Sequence, residues 1–147
     1  MDMTEEQKWD YIIQLDEELL LGGVILSEWT TFLAKDAETA YCSGAYLASI
    51  LASQAAIESH LRYDYFNSTV TKGWSFYDLI KKSNLDSELT KKLHELRKYR
   101  NKWVHVNDPS NDNELLERPE YYEAELADFS KTTIKTMLKI LYSSQGT

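Results

Sequence analysis

Apolar residues recur every three or four positions along almost the whole chain. Nowhere do they alternate with polar residues between turn sequences able to close a hairpin. With only 2 Pro and 5 Gly among 147 residues to interrupt it, this spacing predicts an all-α fold, a helical bundle of four to six helices. The length fits a single domain.

The first helix is expected over Thr4–Leu21, with Trp9, Ile12, Ile13, Leu15, Leu19 and Leu20 as its apolar positions. Thr4 and Gln7 have the spacing of a capping box. Gly22-Gly23 breaks that helix, and Val24–Leu33 continues as helix. From Asp36 to about Phe66 the chain has one Gly and no Pro, which predicts one long helix striped with Tyr41, Ala45, Ala48, Leu51, Ala52, Ala55 and Leu61. After the turn sequence Asn67–Ser75, Ser75 is placed to cap a short helix, Phe76–Lys82, with Asn84 ending it. Asp86 caps the next helix, which carries Leu89, Leu93, Leu96, Trp103 and Val104 and runs to about Val106. Asn107–Asn113 reads as a loop. A last helix is expected from Pro119 through Tyr142, with Tyr122, Leu126, Phe129, Ile134, Met137, Leu138 and Leu141 facing the core.

A single cysteine, Cys42, excludes an internal disulfide, and no Cys/His set has zinc spacing, so no metal or other cofactor is expected. No basic head precedes an apolar run, and no stretch approaches the length of a membrane span. A soluble, cytoplasmic protein without a membrane partner is the expectation. The formal charge of -8 repels phosphate backbones and anionic lipid, so any nucleic-acid role must rest on a local basic patch.

Such a patch exists. Residues 1–38 hold ten acids against Lys8 and Lys35, and residues 108–128 hold eight against Arg118. Lys91, Lys92, Arg97, Lys98, Arg100 and Lys102, by contrast, crowd one helix with only Glu95 opposing them. Leu89, Leu93, Leu96, Arg100 and Trp103 share one helical stripe, so Arg100 stands where a leucine belongs. A guanidinium there is costly unless an anion meets it. On the preceding helix, Gln54 and Glu58 interrupt the stripe Leu47, Leu51, Leu61, Tyr65 in the same way. Two arrangements fit: a buried Arg100–Glu58 pair that fixes helix register, or a recessed site in which Glu58 orients Arg100 toward an anion such as phosphate. Asn101 and His105 lie four residues apart on one helix face, and Arg97 extends it. Arg100 and His105 are separated by about 140° around an ideal helix. Alone, His105 also fits a capping role at a helix C-terminus. His60 sits in a helix of ordinary composition, and His94 lies among charged neighbours.

The run from Leu93 to His105, LHELRKYRNKWVH, resembles the signature helix of the HEPN superfamily. That motif is an Arg, usually followed by Asn or another polar residue, then a His after four to six intervening positions. Arg100, Asn101 and His105 fill these places with four residues between Arg and His. The upstream helix with small residues and a central acid (AYLASILASQAAIESHLRYDYF) and the short helix with Phe76, Leu79 and Ile80 are similar to the order in that family. The resemblance spans about residues 36–142, leaving residues 1–35 as an N-terminal helical extension. It implies a homodimer with the motif helices facing one cleft. It also implies metal-independent RNA cleavage, often by the toxin of a toxin–antitoxin pair or a phage-defence protein, with an antitoxin as a further partner. Many members only bind. In one toxin branch a Tyr two places after the His is modified by the antitoxin; here that place is Asn107.

RNA brings its own nucleophile, the 2′-OH, so cleavage needs only proton transfer and charge stabilisation. His105, with an ordinary pKa of roughly 6.5, would move the proton. Arg100 would hold the phosphoryl oxygens, Asn101 would orient the phosphate or the imidazole, and Glu58 would lock Arg100. Arg97, Lys98 and Lys102 would gather the RNA strand, and Tyr99 or Trp103 would either stack on a base or pack in the core. The competing readings are a non-catalytic interaction protein and a nucleotide-binding protein.

Overall fold

The computed structural model describes residues 2–104 and 117–143, and among these it contains six α-helices, one π-helical turn and no strand. The helices are α1 (Glu5–Leu19), α2 (Glu28–Ser43), α3 (Tyr46–Ser59), α4 (Phe76–Lys82), α5 (Ser87–Val104) and α6 (Pro119–Leu141). The π turn, His60–Tyr65, extends α3. This is an all-α bundle. The loop expected at residues 107–113 and the end expected near Val106 lie outside the described residues.

Local signals set most helix starts. The Thr4 hydroxyl accepts from the Gln7 amide at 3.1 Å while the Gln7 side chain accepts from the Thr4 amide at 2.8 Å, which closes the capping box. Ser75 makes the same reciprocal pair with Asp78 at 3.1 and 3.0 Å. Asp86 accepts from the Leu89 amide at 2.8 Å. Pro119 opens α6.

Two expectations are corrected. Val24–Leu26 are not helical; α2 begins at Glu28, because Ser27 caps it by accepting from the Thr30 amide at 3.1 Å. The long helix expected from Asp36 to Phe66 is instead a helical hairpin. Gly44 adopts φ 88°, a left-handed conformation that glycine reaches without Cβ strain. The Gly44 and Ala45 amides return to the carbonyls of Tyr41 (3.1 Å) and Ala40 (2.8 Å), closing α2 in a Schellman pattern. The helical phase restarts after the turn, so Ala45 and Ala48 are exposed while Ser49, Ile50, Ser53, Gln54, Ala56 and Ile57 are buried.

Small residues line the hairpin's seam. Ala37, Ser49, Ser53 and Ala56 are wholly buried. The Ser49 hydroxyl donates to the Ala37 carbonyl at 2.7 Å, and the hydroxyls of Thr30 and Ser59 meet at 2.9 Å. These cross-links run α2 and α3 antiparallel. Helix α6 covers α3 with Ile134, Met137, Leu138, Ile140 and Leu141, and α5 reaches the core through Leu93 and Leu96.

Gly44→Ala separates the hairpin from a continuous helix. In a straight helix the change would stabilise by about 1 kcal/mol; at φ 88° it should destabilise by about 1 kcal/mol, read from the midpoint of urea unfolding.

Candidate functional site

Helix α5 presents two different flanks. On one, Tyr99 stacks on Phe129 of α6, with ring centroids 4.0 Å apart and planes 14° from parallel, and Trp103 meets Tyr122 edge-on at 5.9 Å. The Tyr99 hydroxyl donates to Glu125 Oε1 at 2.8 Å, and burial, followed by that bond, pushes its pKa up. Both aromatics thus pack between α5 and α6, while half-buried Trp103 also lines an open hollow with Tyr46, Leu47 and Leu126. Lys102 belongs to this flank as well: its Nζ lies 3.8 Å from Glu125 Oε1 and 5.2 Å from the Tyr122 ring centre.

The other flank carries Arg97, Arg100 and Asn101. The Arg97 guanidinium sits 5.2 Å from the centre of the Tyr77 ring of α4, and the His94 ring is 5.5 Å from that same tyrosine. Buried Nε of Arg97 and Nδ1 of His94 have no hydrogen-bond partner among the described residues. Burial, then the charges of Arg97 and Lys98, lower the His94 pKa. Arg100 and Asn101 are half-buried, and Arg100 Nη1 donates to Asn101 Oδ1 at 3.4 Å. Lys98 is exposed. Among the described residues no carboxylate lies within ion-pair distance of Arg97 or Arg100.

Glu58 is not where the sequence placed it. Its Oε1 accepts from Arg62 Nη2 at 3.2 Å, one helical turn away, and it is not paired with Arg100. Arg62 also donates to the carbonyls of Trp74 (2.9 Å) and Thr71 (3.0 Å), which ties the π turn to the segment leading into α4. The reason is short range: a partner four residues along the same helix lies within reach before any neighbouring helix does. Both roles expected of Glu58, register pair and orienter of Arg100, are therefore replaced by a structural one. The sequence held the signal, since Glu58 and Arg62 stand at that spacing. Tyr77 had no such signal; only the docking of α4 on α5 brings it under Arg97.

Arg97, Arg100 and Asn101 lie within about one turn of α5; Arg100 bonds Asn101 while Arg97 stands over Tyr77, Lys98 is exposed, Lys102 pairs with Glu125 and Glu58 with Arg62. His105 lies outside the described residues. No group of three or more His, Cys, Asp or Glu residues among the described residues is arranged to hold a metal ion, and no helix there is long and apolar enough to cross a membrane. Chemically the flank is a donor surface: two guanidinium groups and an amide suited to an anion with several oxygens. No family model, no curated protein and no solved structure matches the chain.

The division of labour between Glu58 and Arg62 is measurable. Arg62→Met strips donors from two carbonyls and should cost about 2 kcal/mol in urea unfolding. Glu58→Gln should cost less than about 1 kcal/mol. A larger loss for Glu58→Gln than for Arg62→Met would mean that Glu58 serves another partner.

Proposed function

We propose that this chain is a metal-independent endoribonuclease of the HEPN kind, acting as the toxin of a toxin–antitoxin pair or in phage defence. The observation that carries the reading is Arg100: a permanently charged group on the stripe of Leu93 and Leu96, with no carboxylate to answer it among the described residues. With Glu58 committed to Arg62, the Glu58–Arg100 pair no longer explains a guanidinium at this place, and an external anion suits it as a partner.

On this reading Arg100 binds the non-bridging oxygens of the scissile phosphate and stabilises the charge that builds there. Asn101 keeps an amide donor for the same phosphate while its oxygen accepts from Arg100. His105 takes the proton of the 2′-OH or delivers one to the leaving 5′-oxygen. A single histidine supplies one proton carrier, and a second copy of the chain across a shared cleft supplies the other. Arg97 and Lys98 hold the approaching strand. Lys102, engaged with Glu125 in a weak exposed pair, remains able to join them.

A second reading, a non-catalytic binding protein with the same fold, draws on a different observation. Ile25, Trp29 and Phe32, within eight residues of one another, are 96%, 72% and 67% exposed, and apolar side chains in water are what a partner protein would cover.

Cleavage of RNA in EDTA by the wild type, Arg100→Ala and His105→Ala, together with growth on expression, tests the proposal. Wild type should cut RNA and arrest growth, and each substitution should lower the rate at least about 100-fold. Unchanged behaviour of both variants would leave only the binding reading.

A further inference from the structure

A second basic feature lies away from Arg100. Between the N-terminal half of α5, the C-terminal half of α6 and Tyr11 of α1 runs a groove of about 420 Å³, into which Lys92, Lys131, Lys135 and Lys139 all project. Three of these lysines stand four residues apart on α6, so they rise about 6 Å per step along one face, and Lys92 faces them from α5. Lys92, Lys131 and Lys139 are half-buried and Lys135 is exposed. None of the four has a carboxylate within ion-pair distance among the described residues.

Opposing charge is sparse. Among the described residues Glu88 is the one carboxylate in the lining; Asp128 and Asp2 border Lys131 from the adjoining hollow, and burial, then Glu18, raises the pKa of Tyr11. Like charges at four-residue spacing repel, so gathering four ammonium groups in one depression costs stability unless an anion occupies it. In a chain with 24 acids to 16 bases, the same lysines could have been answered cheaply. The hydroxyls of Thr132 and Thr136 donate to the carbonyls of Asp128 (3.2 Å) and Thr132 (3.1 Å), so the donors left for a ligand are the ammonium groups. Lys131 Nζ stands over the half-buried Tyr11 ring, 4.8 Å from its centre, so a base takes that face as Lys131 swings onto a phosphate.

A row of cations beside an aromatic ring is the pattern that holds a single strand without regard to sequence: charge follows the backbone and the ring takes a base. We propose that this groove is a binding track for single-stranded nucleic acid, with Lys92, Lys131, Lys135 and Lys139 on successive phosphates and Tyr11 against a base. The proposal does not rest on the ribonuclease reading, because Lys92 precedes Arg100 by eight residues, about 12 Å along α5, and its readout is binding.

The test is fluorescence anisotropy of the full chain with a labelled 2′-O-methyl oligouridine, which cannot be cut through a 2′-OH. Lys131→Gln/Lys135→Gln/Lys139→Gln should weaken binding at least about 10-fold and flatten the plot of log affinity against log salt by about 2. A control with the same loss of charge at exposed positions, Lys35→Gln/Lys72→Gln/Lys81→Gln, should change affinity less than about 3-fold. Tyr11→Leu should weaken binding without changing the salt slope, and the single exposed change Lys135→Glu should weaken it in a chain whose packing is untouched. Equal losses in the groove and control variants, or no loss in the groove variants, would overturn the proposal. So would binding of tripolyphosphate or ATP at this groove with no binding of the strand, which would make it a site for a small polyphosphate.

Discussion

The close approach of α2 and α3 governs the rest of the structure. Small buried residues meet across the seam between them, Ala37 with Ser49 and Thr30 with Ser59. The helices come near enough for the Ser49 hydroxyl to bond the Ala37 carbonyl at 2.7 Å. With α2 folded back at Gly44, α3 becomes the centre of the bundle, packed by α2, α6 and α5. A larger side chain in that seam would push α3 outward and with it the surface on which Leu93 and Leu96 of α5 rest. The placement of Arg100 depends on this geometry, because the same stripe that buries those leucines directs the guanidinium.

Charge follows a second logic. Acids dominate the chain, yet they do not neutralise its cations evenly. Arg62 and Lys102 have carboxylate partners, while Arg97, Arg100 and the lysines of the α5–α6 groove do not among the described residues. Arg97 lies over Tyr77, which offers a π face in place of a charge. What sets Arg100 and the groove lysines apart is their place, a guanidinium on a leucine stripe and four ammonium groups in one hollow, an arrangement of the kind that functional sites carry at some expense of stability. On the proposed reading both places wait for phosphate, one to react and one to hold.

The parts of the fold legible in the sequence were those fixed by neighbours a few residues apart. Thr4 with Gln7, Ser75 with Asp78, Asp86 and Pro119 each act within one turn, and each starts a helix where its spacing indicated. Periodicity likewise identified the buried face of α6 and, on α5, Leu93 and Leu96, whereas Val104, expected on the same stripe, is exposed. The hairpin was not legible, because one glycine in an otherwise helix-favouring stretch is compatible with a continuous helix, and only the tertiary seam rewards the turn at Gly44. Partners were harder than faces. A stripe shows that Glu58 and Arg100 interrupt two apolar surfaces, and it does not show that Arg62, one turn from Glu58, wins the carboxylate. The groove lysines were overlooked for a related reason: Lys131, Lys135 and Lys139 are spread over α6 among other residues and form a cluster only when Lys92 is folded against them.

The central claim is that Arg100 contributes its charge to an external anion and not to the fold. Equilibrium unfolding of Arg100→Leu, which restores a leucine to the stripe, tests it most directly. The variant should be as stable as the wild type or more so. A loss of about 3–5 kcal/mol, the cost of breaking a buried ion pair, would contradict it and return Arg100 to a structural role.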